Sequence, residues 1–406
     1  MNTRSALRGI RVADFSWVGA GPFLTKPLAD HGADVVKIES RTRIDPIRSM
    51  APFRAGIRDV EQSGYFANRN SSKRSMCLDL KDGRGRDLAL RLIETSDVVV
   101  NNFSPGTMDR LGLGFDEARR VRPDVIYLEM PMMGSEGPYR DCRGYGLTIA
   151  AAGGLLGLTG HSDRPPVGTG TNYPDHVPNP LHGAVAVLAA LRKRRRTGQG
   201  EYIELAQFES TINAIGPAIV AVADGVPVTA CGNDDDTAVP HGVYPCAGDD
   251  RWCAIAVFGE NQWAATCSVL GLSAWADHPQ LDTATGRRAA RPLLDKLISA
   301  ATRDRHADEL ADQLTARGVP ASRVQRADDL ICDDIQLAAR GHWVTLDHPA
   351  MGPAVYDGIP YRLTRTPGQL RSPAPRLGGD SRAVCTELLG LTEHAYDDLE
   401  QQGVVG

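Results

Sequence analysis

The sequence predicts a two-domain α/β protein, and three observations carry that expectation. Its 406 residues exceed what one simple core accommodates. A strand–helix–strand pattern runs from Ile10 to Glu39 near its beginning. Between Val226 and Pro240 the composition turns polar and glycine-rich, as a linker does, and an α+β stretch follows.

Each element has a reason. Ile10–Phe15 alternates apolar positions as a strand does, and Val18-Gly-Ala-Gly-Pro22 is the turn after it. A helix over Phe23–His31 is stopped by Gly32, and Ala33–Glu39 is a second, parallel strand. Gly19 and Gly21 with Glu39 partly match a dinucleotide fingerprint, but Leu24 stands where the third glycine belongs, so the match is weak. An arginine-rich loop (41–58) precedes a loop and short strand over Asn68–Lys81. A helix Gly83–Thr95 and an apolar strand Asp97–Val100 come next, and the strand ends in the polar turn Asn101–Gly106, on the edge where parallel sheets collect ligands. Val125–Met130 is a further strand, and Leu147–Leu156 a closely packed helix of small residues. Gly200–Leu205 returns to strand, then helix. Past the linker, strands near Gly242–Tyr244 and Trp252–Phe258 combine with helices Asn261–Leu270, Arg291–Ala301 and Ala307–Arg317. The end holds a strand-like Trp343–Leu346, a helix Ser381–Gly390 and an acidic tail, Glu393–Glu400.

Composition excludes several function classes. A net charge of −5 provides no broad basic field for nucleic acid. Eight cysteines without CxxC spacing predict no metal site and fit a reducing compartment, where they act as small apolar residues. No apolar run reaches the roughly 18 residues of a membrane span, and no signal-peptide pattern is visible, so the expected location is cytoplasmic.

The stretch most suggestive of chemistry is Thr169–Pro180, a turn-rich loop stiffened by Pro174, Pro178 and Pro180. It carries Asp175 and leads into Gly183–Leu191, a run without polar side chains that is expected to be buried. A carboxylate on a stiff loop over an apolar helix can be desolvated, which makes it a better nucleophile; as a lone loop aspartate it could equally serve a turn.

Taken together, Val12–Phe15, Gly21-Pro22, Leu28–Glu39, Lys73–Ser75, Asn102–Gly106, Arg110–Gly112, Asp175 ahead of Ala189–Leu191 and Gly318–Pro320 resemble the class III CoA-transferase family. That family includes formyl-CoA and carnitine CoA-transferases and, as a divergent branch, α-methylacyl-CoA racemases. The resemblance spans about residue 8 to about residue 400. It implies a Rossmann-like large domain made from both chain ends (1–225 and 335–406), a smaller middle domain (226–334), and an interlocked homodimer, with a heteromer of paralogues as the alternative. It further implies transfer of CoA from an acyl-CoA donor, succinyl-CoA among them, to a carboxylic acid through an aspartyl-CoA thioester. Coenzyme A is then a substrate, with no permanently bound cofactor.

Carried over by position, the resemblance makes Asp175 catalytic. It assigns CoA contacts to Val18, Gly19, Ala20, Leu78, Lys81, Asn102, Phe103 and Arg110, and pantetheine-side contacts to Arg143 and Tyr145. Ser40 stands where family members often have a phosphate-binding arginine, with Arg41 next to it. The racemase branch needs a histidine near Asp141–Thr148; none is there, and His176 is the only nearby substitute. A catalytically inactive CoA-binding protein is the remaining alternative.

Overall fold

The computed structural model describes residues 5–406. Its larger unit is built on six parallel strands: β1 (Arg11–Asp14), β2 (Asp34–Glu39), β3 (Arg74–Cys77), β4 (Val98–Asn101), β5 (Ile126–Glu129) and β6 (Glu201–Glu204). They lie in the order β3-β2-β1-β4-β5-β6, so the winding reverses between β1 and β4. Val12 sits opposite Val35 on one side and Val98 on the other. Ligands collect beyond the carboxyl ends of strands at such a reversal.

The helices up to the candidate site are α1 (Ala20–Asp30), α2 (Gly64–Arg69), α3 (Gly83–Glu94), α4 (Thr107–Arg110), α5 (Phe115–Val121), α6 (Gly146–Ala152), α7 (Tyr173–His176) and α8 (Pro178–Thr197). A parallel sheet is covered on both faces, which is why Val98-Val99-Val100 reads as an unbroken apolar run. Val98 and Val100 pack with Leu24 of α1 and Val187 of α8 on one face. Val99 points to the other, with Leu88 and Leu92 of α3. The chain's end completes that second face through Val384, Tyr396 and Val405.

By its contacts the chain divides into two units. One comprises the chain up to Gly157, Gly168–Val228 and Gln336–Gly406; the other comprises Leu158–Val167 and Thr229–Ile335. The second unit is an antiparallel three-stranded sheet, β7 (His241–Pro245), β8 (Trp252–Ala256) and β9 (Ala321–Arg323). Helices Glu260–Leu270, Arg291–Thr302 and Ala307–Thr315 pack on it around Cys253, Ile255, Trp263 and Leu310.

Several local expectations are corrected. Asp175 lies on a short helix, α7, and not on a loop. Pro174 takes a first-turn position where its missing N–H costs nothing, and Pro178 makes Val177 a break before α8. The run Gly183–Leu191 is only partly buried: Gly183, Val187 and Ala190 face the sheet, while Val185 and Leu188 are exposed. An unbroken apolar run has no periodicity to reveal which face is inward. For the same reason Leu147–Leu156 is less enclosed than expected, with α6 ending at Ala152 and Leu147 exposed. Glu393–Glu400 is a helix, Glu393–Gln401, capped by Thr392 and anchored by buried Tyr396. Its acids face Arg382, which bonds Glu393, Asp397 and Glu400. Helix Ser381–Gly390 instead stops at Ala383 and widens into a π turn over Val384–Leu388. Of the eight free cysteines, Cys142, Cys231 and Cys332 are exposed and so do not act as core residues.

Candidate active site

The turn after β1 is fastened from beneath and from the side. Asn102, just past β4, accepts from the Trp17 N–H at 2.8 Å and donates to the Trp17 carbonyl at 2.7 Å. Asp45 accepts from the Val18 N–H at 3.1 Å and pairs with Lys37 at 3.0 Å; Lys37 also donates to the Ser16 carbonyl at 2.7 Å. These contacts hold Val18 at φ 63°, a left-handed conformation that a β-branched residue adopts only under constraint. The turn is therefore rigid, and Gly19 follows it as the cap of α1.

Asp175 is wedged between Gly19 and Gly146. A Cβ at Gly19 would lie 2.7 Å from the Asp175 Cβ, and one at Gly146 would lie 2.9 Å from its Oδ2, so any side chain at either position would displace the carboxylate. Gly146 opens α6, and first-turn N–H groups have no partner within their helix. Its N–H donates to Asp175 Oδ2 at 3.0 Å. Thr148 closes the same helix start by accepting from the Tyr145 N–H and donating to the Tyr145 carbonyl, both at 2.8 Å.

Asp175 is 4% exposed. Burial pushes its pKa up to about 6, and the Gly146 hydrogen bond offsets only part of that. Among the described residues no cation pairs with it. The result is a carboxylate mostly ionised at neutral pH yet poorly solvated, the state that favours attack on an electrophilic carbon.

A cavity of about 650 Å³ lies beside it. Gly146 and His176 line it, together with Tyr65, Leu147, Thr171 and Asn172. His176 is held at both ring nitrogens: Nδ1 is 2.8 Å from the Thr171 hydroxyl and Nε2 is 3.0 Å from the Tyr65 hydroxyl. Burial, and secondarily the charge of Arg69, push its pKa down to about 4, so the ring is neutral at physiological pH.

The sequence-predicted residues fall into three groups. Val18, Gly19, Ala20, Asn102 and Phe103 gather at the reversal of the sheet, where Phe103 meets the Trp17 ring edge-on at 5.4 Å. Trp17 is thus a packing partner of that turn. Arg41 lines a separate cleft of about 210 Å³ with Ser40, Leu78 and the chain's last residues. Leu78 is 1% exposed and belongs to the core, so only a sliver of it meets that cleft. Lys81, Arg110, Arg143 and Tyr145 are exposed, and Arg110 donates to Thr107. Glu39 is buried and bound through both oxygens by Arg48, which removes it as a ribose ligand. Among the described residues no cluster of His, Cys, Asp and Glu is arranged to hold a metal ion.

Sequence reasoning did not identify the Gly146 N–H, Asp45, Lys37 or Tyr65 as parts of this site. Gly146 had a signal in the Gly-Tyr-Gly spacing; the others reach it from separate elements and had none.

The sequence pattern of CoA-transferase family III matches residues 7–381. The chain belongs to this family. Among family relatives, the succinyl-CoA–D-citramalate CoA-transferase of Chloroflexus aurantiacus is 32% identical over 400 residues, covering 98% of both chains. The succinyl-CoA:mesaconate CoA-transferase of Haloarcula hispanica is 34% identical, covering 98% of this chain and 97% of its own. A CaiB/BaiF family protein from Brucella suis has a similar crystal structure, with a TM-score of 0.86 at 30% identity over 95% of this chain and all of its own.

Proposed function

We propose that this family III CoA-transferase works through Asp175 as nucleophile. The observation that carries this reading is a buried carboxylate with no cation beside it among the described residues, fixed between two glycines next to a cavity. The Asp175 carboxylate attacks the thioester carbon of the acyl-CoA donor and expels CoA thiolate, leaving a mixed anhydride. The thiolate attacks the aspartyl carbon of that anhydride, releasing the donor acid and forming an aspartyl-CoA thioester. The acceptor carboxylate attacks this thioester, and the same two steps in reverse yield the new acyl-CoA and free Asp175. The thioester is nearly isoenergetic with substrate and product, so each step is close to balanced. The Gly146 N–H, already on Oδ2, stabilises the negative oxygen that develops on the aspartyl carbon.

The turn Val18–Ala20, Asn102 and Phe103, with Lys81, Arg110, Arg143 and Tyr145, holds CoA in this reading, and Arg41 and Leu78 meet its nucleotide end. The reversal of the sheet supports the first group. Binding energy from that remote end positions the thioester. Succinyl-CoA as donor is supported by the names of the relatives. Two Rossmann-like large domains interlocked as a homodimer would cover apolar surface left open here: Leu181, Val185 and Leu188 on one side of α8, and Ile219, Val220 and Val222 farther on. Cytoplasmic location is supported by eight free cysteines. Among the described residues no helix is long and apolar enough to cross a membrane.

A two-base racemase finds no support in His176, whose nitrogens are both engaged and whose pKa is pushed down to about 4. The test is Asp175→Ala assayed for CoA transfer and, separately, for CoA binding. Lost transfer with retained binding and fold is expected; an active variant refutes the scheme.

A further inference from the structure

We propose that Arg376, together with Arg41, binds the terminal 3′-phosphate of CoA, so that the protein distinguishes CoA from dephospho-CoA, which lacks only that group. The inference rests on the reading above that the nucleotide end of CoA reaches Arg41.

Arg41 borders two clefts of different charge. In the cleft of about 210 Å³ it is accompanied by Asp79 and Glu400, whose carboxylates disfavour a phosphate there and leave room for the uncharged nucleoside. The second cleft, of about 390 Å³, is lined by Arg41, Arg376, Glu61 and Leu377–Gly379. Glu61 is already engaged through both oxygens: Arg48 donates to Oε2 at 3.2 Å and the Leu377 N–H to Oε1 at 2.9 Å. Arg41 and Arg376 are exposed, and among the described residues neither has a hydrogen-bond or ion-pair partner. Two guanidinium groups free in one cleft suit a phosphomonoester, which carries close to two negative charges at neutral pH and accepts their N–H groups in pairs.

The backbone that presents Arg376 is fixed on both sides. The Pro375 carbonyl accepts from Arg48 at 3.1 Å, and Arg48 is itself bound to Glu39 at the end of β2. The Gly378 N–H donates to the Ser75 hydroxyl of β3 at 3.0 Å. Arg376 is thereby anchored to β2 and β3, while the turn Val18–Ala20 follows β1 in the order β3-β2-β1. Neighbouring strands lie about 4.8 Å apart, so the track from that turn to Arg376 is short. One loop spans its first part: Asp45 holds the Val18 N–H, the Arg43 guanidinium lies 5.6 Å from the centre of the Trp17 ring, and Arg41 opens the clefts. The diphosphate of CoA lies between pantetheine and ribose and so falls nearer the turn. The 3′-phosphate is the terminal branch and falls farthest along, at Arg376.

The experiment uses the full-length protein and calorimetric binding of CoA and dephospho-CoA. Wild type is expected to bind CoA on the order of tenfold or more tighter than dephospho-CoA. Arg376→Ala should lose most of that preference by weakening CoA alone, with affinity for dephospho-CoA unchanged, a split that a merely structural role would not produce. Arg376→Lys, which keeps the charge without the planar fork, should recover part of it. Equal binding of the two ligands by wild type, as for a site that takes free phosphate alone, overturns the inference; so does an equal loss of both in Arg376→Ala. A preference removed by Arg41→Ala but kept in Arg376→Ala overturns the role of Arg376 and leaves the nucleotide end at Arg41. A preference that survives both substitutions overturns that placement and this inference with it.

Discussion

Asp14 and Asp175 lie on either side of the loop after β1, and both are buried, but they are held in opposite ways. Asp14 accepts from the Ser16 N–H and hydroxyl on one oxygen, and from Thr25 and Lys73 on the other. Burial alone would raise its pKa, but Lys73, Lys37 and the two hydroxyls outweigh that and hold it below the usual carboxylate range. Among the described residues Asp175 has one backbone donor and no cation, so burial wins and its pKa rises. A buried carboxylate with its charge answered is part of the frame. One whose charge is left unanswered stores free energy that chemistry can use.

The largest expected difference is between the two neutralising variants. Asp14→Asn leaves Lys73 and Lys37 facing a neutral amide in the interior and should cost about 3–5 kcal/mol of stability in urea unfolding. Asp175→Asn should abolish transfer while leaving the fold intact. A destabilised Asp175→Asn and a stable Asp14→Asn would reverse the assignment.

Their pH responses should also diverge. The lowered pKa of Asp14 contributes stability that is present above its unfolded value near pH 4 and is lost as pH falls through the folded value. The raised pKa of Asp175 works the other way. Its folded form binds a proton more tightly than the unfolded chain, so stability declines as pH rises from about 4 to about 6. Asp175→Asn should therefore be more stable than wild type by on the order of 3 kcal/mol at pH 8, with most of the difference gone by about pH 4. Transfer by the wild type should fall as pH drops below about 6, where the nucleophile protonates.

Smaller effects sharpen the comparison. Gly146→Ala places a methyl group against Asn172 and Asp175 and should cost about 1–3 kcal/mol, together with most of the activity. Thr25→Val removes one hydroxyl from Asp14 and should cost about 1 kcal/mol in thermal unfolding, with activity unchanged.

Much of the frame was legible because its signals are local. Ile10–Glu39 alternates apolar runs with glycine breaks, and the observed β1, α1 and β2 follow that pattern closely. That Asp175 can be desolvated was expected from a stiff loop over a buried apolar helix; Asp175 is buried, but on a short helix between Gly19 and Gly146. What surrounds the carboxylate was not legible. Gly146 reaches it from 29 residues away, and Tyr65 reaches His176 from 111. Gly146 had only the Gly-Tyr-Gly spacing to mark it, and Tyr65 had nothing. The exposed side of α8 was hidden for a different reason: Gly183–Leu191 contains no polar residue to mark it.

The most direct test of the central claim is intact-protein mass spectrometry after incubation with acyl-CoA donors, followed by hydroxylamine treatment and peptide mapping. The account predicts a CoA-sized adduct on the peptide containing Asp175, removed by hydroxylamine with formation of a hydroxamate at that residue, and absent in Asp175→Asn. A protein that transfers CoA between acids without ever carrying an adduct, or that carries it on another residue, would contradict it.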